Sequence, residues 1–576
     1  MKIVNPFEFD AANNLPEDDI IDYFIEDHNY SRFLNSSRNI FLLGERGSGK
    51  TMTLLYHSFR VQVKKKLKNG EKIDFSKIGV HIPCNTPLFH KKEYLLFNDE
   101  FKKSILCEHY LVLTIVYSIC EALSGLEEID EALSSDELFE DIEYLLATNN
   151  LKRKKSFAES LKLFVSRELN VAQQKINGPN ANEFFANAYS FSSFVIPLIT
   201  VIKSVDLFKS SHFMLMIDDA HDLNKYQTET INSWIAYRDH SDFSFKIATA
   251  KINRPSLITA TGGSILEGHD FISIDMEKSF QNSKSDFYSM AKDILERRLK
   301  IISENLSVET FFPPNLSFVK DLDICKEIVK KRFEESNSTY TPKQLSDYIY
   351  KYSRAEYFKS RGAKSNLPPY SGFETIVDLS SGVIRNLLDP CYWMYDSAIS
   401  QNKGNSKIKH IPYAIQNDII KQRSLKMWER LKNGLDKEIE GCTFEDGKYL
   451  NQLFENIHLL FIRRLREHKS EPRAITFSIS GIEKDEIKYD SVIHLLEIAQ
   501  KAQMLYTRIS SGKEMGKHEL YYAPNRMLMP AKGLDPHGQY SRVSIKLLDL
   551  YNAAFSNKEL PFSKDDEEYT QGNLFE

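Results

Sequence analysis

Residues 44–51, Gly44-Glu45-Arg46-Gly47-Ser48-Gly49-Lys50-Thr51, follow the spacing G-x-x-x-x-G-K-[ST]. Each position has a chemical use. The glycines let the backbone curl so that successive amides converge on phosphate oxygens, and a helix amino terminus behind the loop adds positive field. Lys50 brings an ammonium to the β- and γ-phosphates of a nucleotide, and Thr51 brings a hydroxyl to magnesium. Gly44, Glu45, Arg46, Gly47, Ser48, Gly49, Lys50 and Thr51 are therefore the expected nucleotide-binding set. A second chemical feature lies far along the chain. The apolar run Phe213-Met214-Leu215-Met216-Ile217 ends in Asp218-Asp219. Asp218 is placed to accept a magnesium-bound water, with Thr51 as the other metal-side residue, and Asp219 to polarise an attacking water.

These groups work only if the chain brings them to one rim, and the flanking patterns do so. Ile40 to Leu43 reads as a short buried strand ahead of the glycine loop, and Met52 to Lys68 as the helix behind it. Lys77 to Cys84, Phe213 to Ile217, Phe243 to Thr249 and Phe271 to Ile274 read as further strands. Strands alternating with helices predict a parallel α/β sheet, whose carboxyl-terminal strand ends share one rim. The long helical stretch at about 104–205, including Leu106 to Leu123 and Phe157 to Val171, exceeds what a minimal nucleotide-binding unit needs and reads as an insertion.

Composition limits the remaining classes. The chain has 576 residues, 42% of them hydrophobic and 27% charged, as in an ordinary globular protein of several domains. With 75 Lys and Arg against 80 Asp and Glu, the net charge of −5 carries no global nucleic-acid signature. The six cysteines form no C-x-x-C pair, which argues for reduced thiols rather than a disulfide framework or a zinc site. No signal peptide is expected at the amino terminus. Phe184 to Ile202 carries no charge, but Asn187, Ser190, Ser192, Ser193 and Pro197 make it too polar for a membrane span, and a buried helix is expected instead. The expected location is cytoplasmic, with no membrane contact.

The phosphate loop at 44–51, the stretch Met214 to Leu223 and a third motif, Leu379 to Leu388, together resemble the AAA+ ATPases of the origin-recognition and initiator type. The resemblance is to a P-loop ATPase of bacterial type and spans roughly residues 30–400. It implies ATP and Mg²⁺ as cofactors and ATP hydrolysis as the activity. It also implies a sensor 1 role for Thr249 and a sensor 2 role for Arg385 in the lid, reaching the γ-phosphate. Walker B in such enzymes is usually Asp-Glu. The Asp218-Asp219 pair here is similar to that of STAND-type signalling NTPases, which act as slow switches. Arg254 and Arg238 are the candidates for an arginine finger.

The expected architecture is an α/β parallel-sheet P-loop NTPase (AAA+) core with a large helical insertion, a helical lid and a C-terminal winged-helix-like domain. The boundaries are 1–278 for the core, 279–410 for the lid, 411–560 for the winged-helix-like part and 561–576 for an acidic tail expected to be disordered. The last part looks like a winged helix because helices precede a basic hairpin, Leu505 to Ile509 and Glu519 to Tyr522, with a final helix at Tyr540 to Ala553. Between Lys501 and Lys546 eight Lys/Arg face three Asp/Glu. Arg508, Lys513, Lys517 and Arg526 are the expected contacts to double-stranded DNA. The tail residues Gln571, Leu574 and Phe575 resemble a sliding-clamp-binding peptide. The expected function is an ATP-hydrolysing switch that acts on DNA or assembles with itself or a partner effector, in anti-phage defence, replication or mobile-element control. The competing expectation is a slow signalling switch without DNA binding.

Overall fold

Short segments rich in aliphatic and aromatic residues between helical stretches suit the strands of a covered parallel sheet, and five such strands are described. In the computed structural model these are β1 (Ile40–Leu43), β2 (Lys77–Pro83), β3 (His212–Asp218), β4 (Phe243–Thr249) and β5 (Ile272–Asp275). The structure describes residues 5–8, 12–26, 31–84, 93–147, 151–178, 181–236, 241–251, 256–277, 284–360, 370–402, 408–467, 474–481, 486–511, 518–538 and 542–562. The chain divides into two compact units, Asp10–Ser279 and Met1–Phe9 with Phe280–Glu576.

In the first unit the strands form one parallel sheet in the order β2-β3-β4-β1-β5. The register puts Leu43 beside Thr249 on one side and Asp275 on the other. The strand tips therefore gather at the phosphate loop. The insertion supplies α3 (Glu100–Leu123) and α4 (Phe157–Asn177), which pack on each other, with α3 also against β2. Leu113, Val116, Ile119, Leu161 and Val165 are buried with Val80, Leu215 and Phe245 in one core. The α/β fold with its helical insertion is thus as the sequence predicted.

Three local expectations fail. Met52 to Lys68 is two helices, α1 (Lys50–Tyr56) and α2 (Phe59–Lys68), broken at His57-Ser58. The break lets the His57 carbonyl lie against Gly79 of β2, where a Cβ would meet that oxygen at 2.2 Å. Gly79→Ala is expected to cost about 1–3 kcal/mol, measured as a lower urea midpoint at unchanged slope. Phe184 to Ile202 is not one helix either. A 3₁₀ stretch (Ala181–Asn187) and a π turn (Phe191–Val195) capped by Ser190 precede α5 (Ile196–Ser204). By length and composition Glu100–Leu123 and Phe184–Ser204 are apolar enough to cross a membrane. Most of the first is buried within its unit, and the second is interrupted at residues 188–190, between the 3₁₀ stretch and the π turn.

The last failure lies in the second unit. Tyr540 to Ala553 was read as a helix, whereas the described part is strand β9 (Arg542–Lys546) followed by α15 (Leu547–Phe555). Val543 and Ile545 are buried with the exposed Ser544 between them, a strand alternation that the helical period after Leu547 conceals. Strand β9 joins β6 (Thr476–Ser480), β7 (Leu505–Ser511) and β8 (His518–Pro524) in a sheet of order β7-β8-β6-β9. With α6 (Lys225–Ile235) between β3 and β4 of the first unit, the helices named in the second are α7 (Lys284–Leu299), α8 (Leu316–Ser336), α9 (Pro342–Ser360), α10 (Phe373–Leu379), α11 (Ile384–Gln401), α12 (Tyr413–Asn433), α13 (Phe444–Glu467) and α14 (Glu486–Lys501). One core runs from Cys325 on α8 and Tyr357 on α9 through Phe454 on α13 and Leu495 on α14 to Leu550 on α15. Residues 5–8 also belong here: Phe7 is fully buried against Phe311 and Phe312, and Arg298 donates to the carbonyls of Pro6 and Glu8 at 3.1 and 2.6 Å.

A buried charge network ties three parts of this unit together. Arg354 of α9 grips Asp535 with two hydrogen bonds of 2.7 and 2.8 Å and donates to His537 Nδ1 at 2.7 Å. His537 Nε2 lies 3.4 Å from Asp378 of α10, whose other oxygen is 3.4 Å from Arg526.

Candidate functional site

The phosphate loop starts at the tip of β1, where the Gly44 amide donates to the Thr249 carbonyl at 3.3 Å and the Met276 amide to the Leu43 carbonyl at 2.9 Å. The loop is thus pinned between the ends of β4 and β5. Gly47 and Gly49 take φ of 91° and 97°, conformations that a Cβ disfavours. At Gly44 a Cβ would sit 2.4 Å from Ser48 Oγ, so the curled loop needs glycine there. Lys50 begins α1, is buried, and donates to the carbonyls of Gly44 and Glu45 at 3.0 and 3.1 Å. Thr51 is half-buried in the first turn.

Asp218, at 1% exposure, ends β3 and is the deepest carboxylate of the rim. Its Oδ1 accepts from the Asp219 amide at 3.0 Å, and its Oδ2 lies 3.2 Å from His81 Nε2 on β2. Asp219 sits at φ 53°, a left-handed conformation uncommon outside glycine and asparagine. Such strain persists where surrounding contacts enforce it, and it collects at functional sites. Burial, and then the charge of Asp218, raises the Asp219 carboxyl above its ordinary range. Burial lowers the Lys50 ammonium, opposed by Asp219, Asp218, Glu277 and Glu45, so the lysine and both aspartates lie within one electrostatic neighbourhood.

Three buried polar atoms along these segments have no hydrogen-bond partner: Ser48 Oγ, Thr249 Oγ1 and His221 Nδ1. Orphaned polar atoms are rare in a folded interior. A hydroxyl in the phosphate loop and another on the neighbouring strand tip fit a site built for an oxygen-rich ligand. The donor set of amides, one ammonium, hydroxyls and carboxylates suits a nucleotide phosphate with Mg²⁺, a cation that favours oxygen ligands. A separate cavity of about 460 Å³ lies at the amino-terminal ends of the strands, lined by Arg32, Tyr56, His57, Lys65 and Lys77, and is distinct from this rim.

Sequence reasoning missed Glu277. Its buried carboxylate accepts from the Glu45 amide at 2.7 Å and from Lys251 at 2.8 Å, while Lys251 also pairs with Asp275 at 2.7 Å. His81 was missed as well. Neither belongs to a local motif; only the parallel register brings them to the rim.

Residues 5–341 and 315–545 match the ORC-CDC6-like family model. The chain belongs to the ORC-CDC6-like family. It is thus an ORC/CDC6-like AAA+ protein, and its five-stranded parallel sheet is consistent with the P-loop core of that family. No curated protein matches the chain.

The other expected residues separate into three groups. Arg385 is exposed in the first turn of α11, after a turn that follows α10. Arg508 on β7 is half-buried and donates to the Ser381 carbonyl at 3.3 Å. Arg526 does not face outward as expected for a phosphate contact. Its guanidinium donates to the carbonyls of Pro536 and Gly538 at 3.1 and 2.8 Å, beside Asp378. A count of basic residues cannot reveal that one turns inward onto backbone carbonyls. Lys513, Lys517, Arg238, Arg254, Gln571, Leu574 and Phe575 lie outside the described residues. All six cysteines are buried and none stands in a disulfide, and burial pushes the Cys107 thiol up to about 12.

Proposed function

We propose that the chain is a nucleotide-state switch that binds Mg²⁺·ATP at this rim and hydrolyses it slowly. The observation that carries this reading is the convergence of Lys50, Asp218, Asp219 and the orphaned Thr249 hydroxyl at adjacent strand tips. Lys50 holds the β- and γ-phosphates, the loop amides of residues 46–51 cradle them, and Thr249 donates to the γ-phosphate. Thr51 and Asp218 would hold Mg²⁺, which neutralises charge on the phosphate oxygens. Asp219 orients the attacking water and takes up its proton, a role suited to a carboxylate whose proton affinity is raised. ATP and ADP differ in the contacts they can make at this rim, so that they favour different conformations.

The output is DNA or a partner protein. DNA would be met by Lys513 and Lys517, without Arg526, and defence, replication or mobile-element control are the settings this suits. The inward use of Arg526 and Arg508 favours the second reading, a switch acting on a partner without DNA. ATPase rates for the wild type and Lys50→Ala, with and without duplex DNA, test both. Lys50→Ala is expected to fall by about 10²–10³-fold; a variant as fast as the wild type contradicts the site. Stimulation by duplex supports DNA as the output, and an unchanged rate supports the partner.

A further inference from the structure

The cavity at the amino-terminal ends of the strands, about 460 Å³, is large enough for a small organic ligand. It lies within the first unit alone, bounded by the end of α1, by α2 and by the first residue of β2. Its charged lining is uneven: Arg32, Lys65, Lys66 and Lys77 stand against Glu26 and Asp74. Both acids are already engaged. Glu26 pairs with Lys65 at 2.8 Å, and Asp74 accepts from the Ser76 amide at 2.9 Å. Lys66 pairs with Glu71, which is not part of the lining. Arg32 lies over the ring of Phe33 at 4.8 Å, and neither it nor Lys77 has a carboxylate partner among the described residues.

The surplus positive charge is felt by buried groups around it. Lys246 is fully buried and donates to the carbonyls of Ser36 and Arg38. Burial, and then the charge of Lys77, lower its ammonium to about 7. On the cavity wall burial lowers His57 to about 4, with Glu26 opposing and Lys65 and Lys77 assisting. Cations gathered around a concave, partly apolar wall focus a positive field that an anion relieves. The apolar part is Phe59, Val63 and Met214, all buried.

We propose that this cavity is a second ligand site, for a small organic phosphate: Arg32 and Lys77 hold the phosphate, and Phe59, Val63 and Met214 meet the body that carries it. The planar guanidinium of Arg32 suits two phosphate oxygens at once. A concave pocket favours a small molecule over a nucleic-acid backbone, which is followed along an open groove of cations. The inference does not rest on the nucleotide reading, because the phosphate loop lies at the opposite ends of the strands.

Calorimetric titration of phenyl phosphate and of inorganic phosphate into the full chain tests this. Phenyl phosphate is expected to bind saturably, at one site, and more tightly than inorganic phosphate. Arg32→Ala combined with Lys77→Ala should weaken it by about tenfold or more, whereas Lys50→Ala should leave it unchanged. Arg32 and Lys77 are exposed, so the double variant is expected to fold, and an unchanged urea midpoint checks that. No saturable heat, or binding that survives the double variant, overturns the site. Loss in Lys50→Ala would place the ligand in the phosphate loop instead, and equal affinity for inorganic phosphate would remove the organic body. Duplex DNA bound in a manner sensitive to the double variant, with phenyl phosphate inert, would make this face a nucleic-acid contact and overturn the small-molecule site.

Discussion

Replacing Asp219 with asparagine is expected to leave ATP bound and to slow its hydrolysis by about 10²–10⁴-fold. Asparagine is the right probe because it tolerates the left-handed backbone that Asp219 adopts at φ 53°. The amide that Asp219 donates to Asp218 is retained, so the loss reports on the carboxylate alone. Single-turnover rates and a filter-binding affinity check both points. A variant that hydrolyses at the wild-type rate would move the base elsewhere on the rim.

The largest stability effect is expected in the other unit, at Arg354. Arg354→Met strands Asp535, which is 2% exposed, without its bidentate partner. Removing one member of a buried ion pair costs about 3–5 kcal/mol. Burial alone would raise the Asp535 carboxyl, but Arg354 and His537 pull it far below the ordinary range. A depressed carboxylate contributes stability that is present above its unfolded pKa of about 3.9 and is lost as pH falls below that value. The gap between wild type and Arg354→Met should therefore be widest near neutral pH and narrow below about pH 4. Changing both partners, as Arg354→Met with Asp535→Leu, should recover much of the loss, because no charge is then left buried. Urea unfolding at pH 7 and pH 3.5 measures this; a single variant as stable as the wild type at pH 7 would show that the pair contributes little.

What the sequence disclosed and what it withheld follow one physical division. The glycine loop was legible because its chemistry is local: the residues that curl the backbone, bind phosphate and start the helix are contiguous from Gly44 to Thr51. The five parallel strands were legible as short segments rich in aliphatic and aromatic residues set between helical stretches, although Ser244 and Lys246 interrupt β4 and Ser273 interrupts β5. Glu277, Lys251 and His81 were not, since they reach the rim only through the strand register, and no spacing marks them. The break at His57 was hidden because its cause, the bare backbone of Gly79, lies on another element. Arg526 was misread because charge counted along a chain carries no information on which side chains turn inward.

Calorimetric titration of ATP into wild type, Lys50→Ala and Asp218→Asn, with and without magnesium, bears most directly on the site. Magnesium is expected to tighten ATP binding to the wild type and to lose that effect in Asp218→Asn, while Lys50→Ala weakens binding in either condition. Equal affinities in all three proteins, or a magnesium effect untouched by Asp218→Asn, would contradict a phosphate held between that lysine and a metal at the tip of β3.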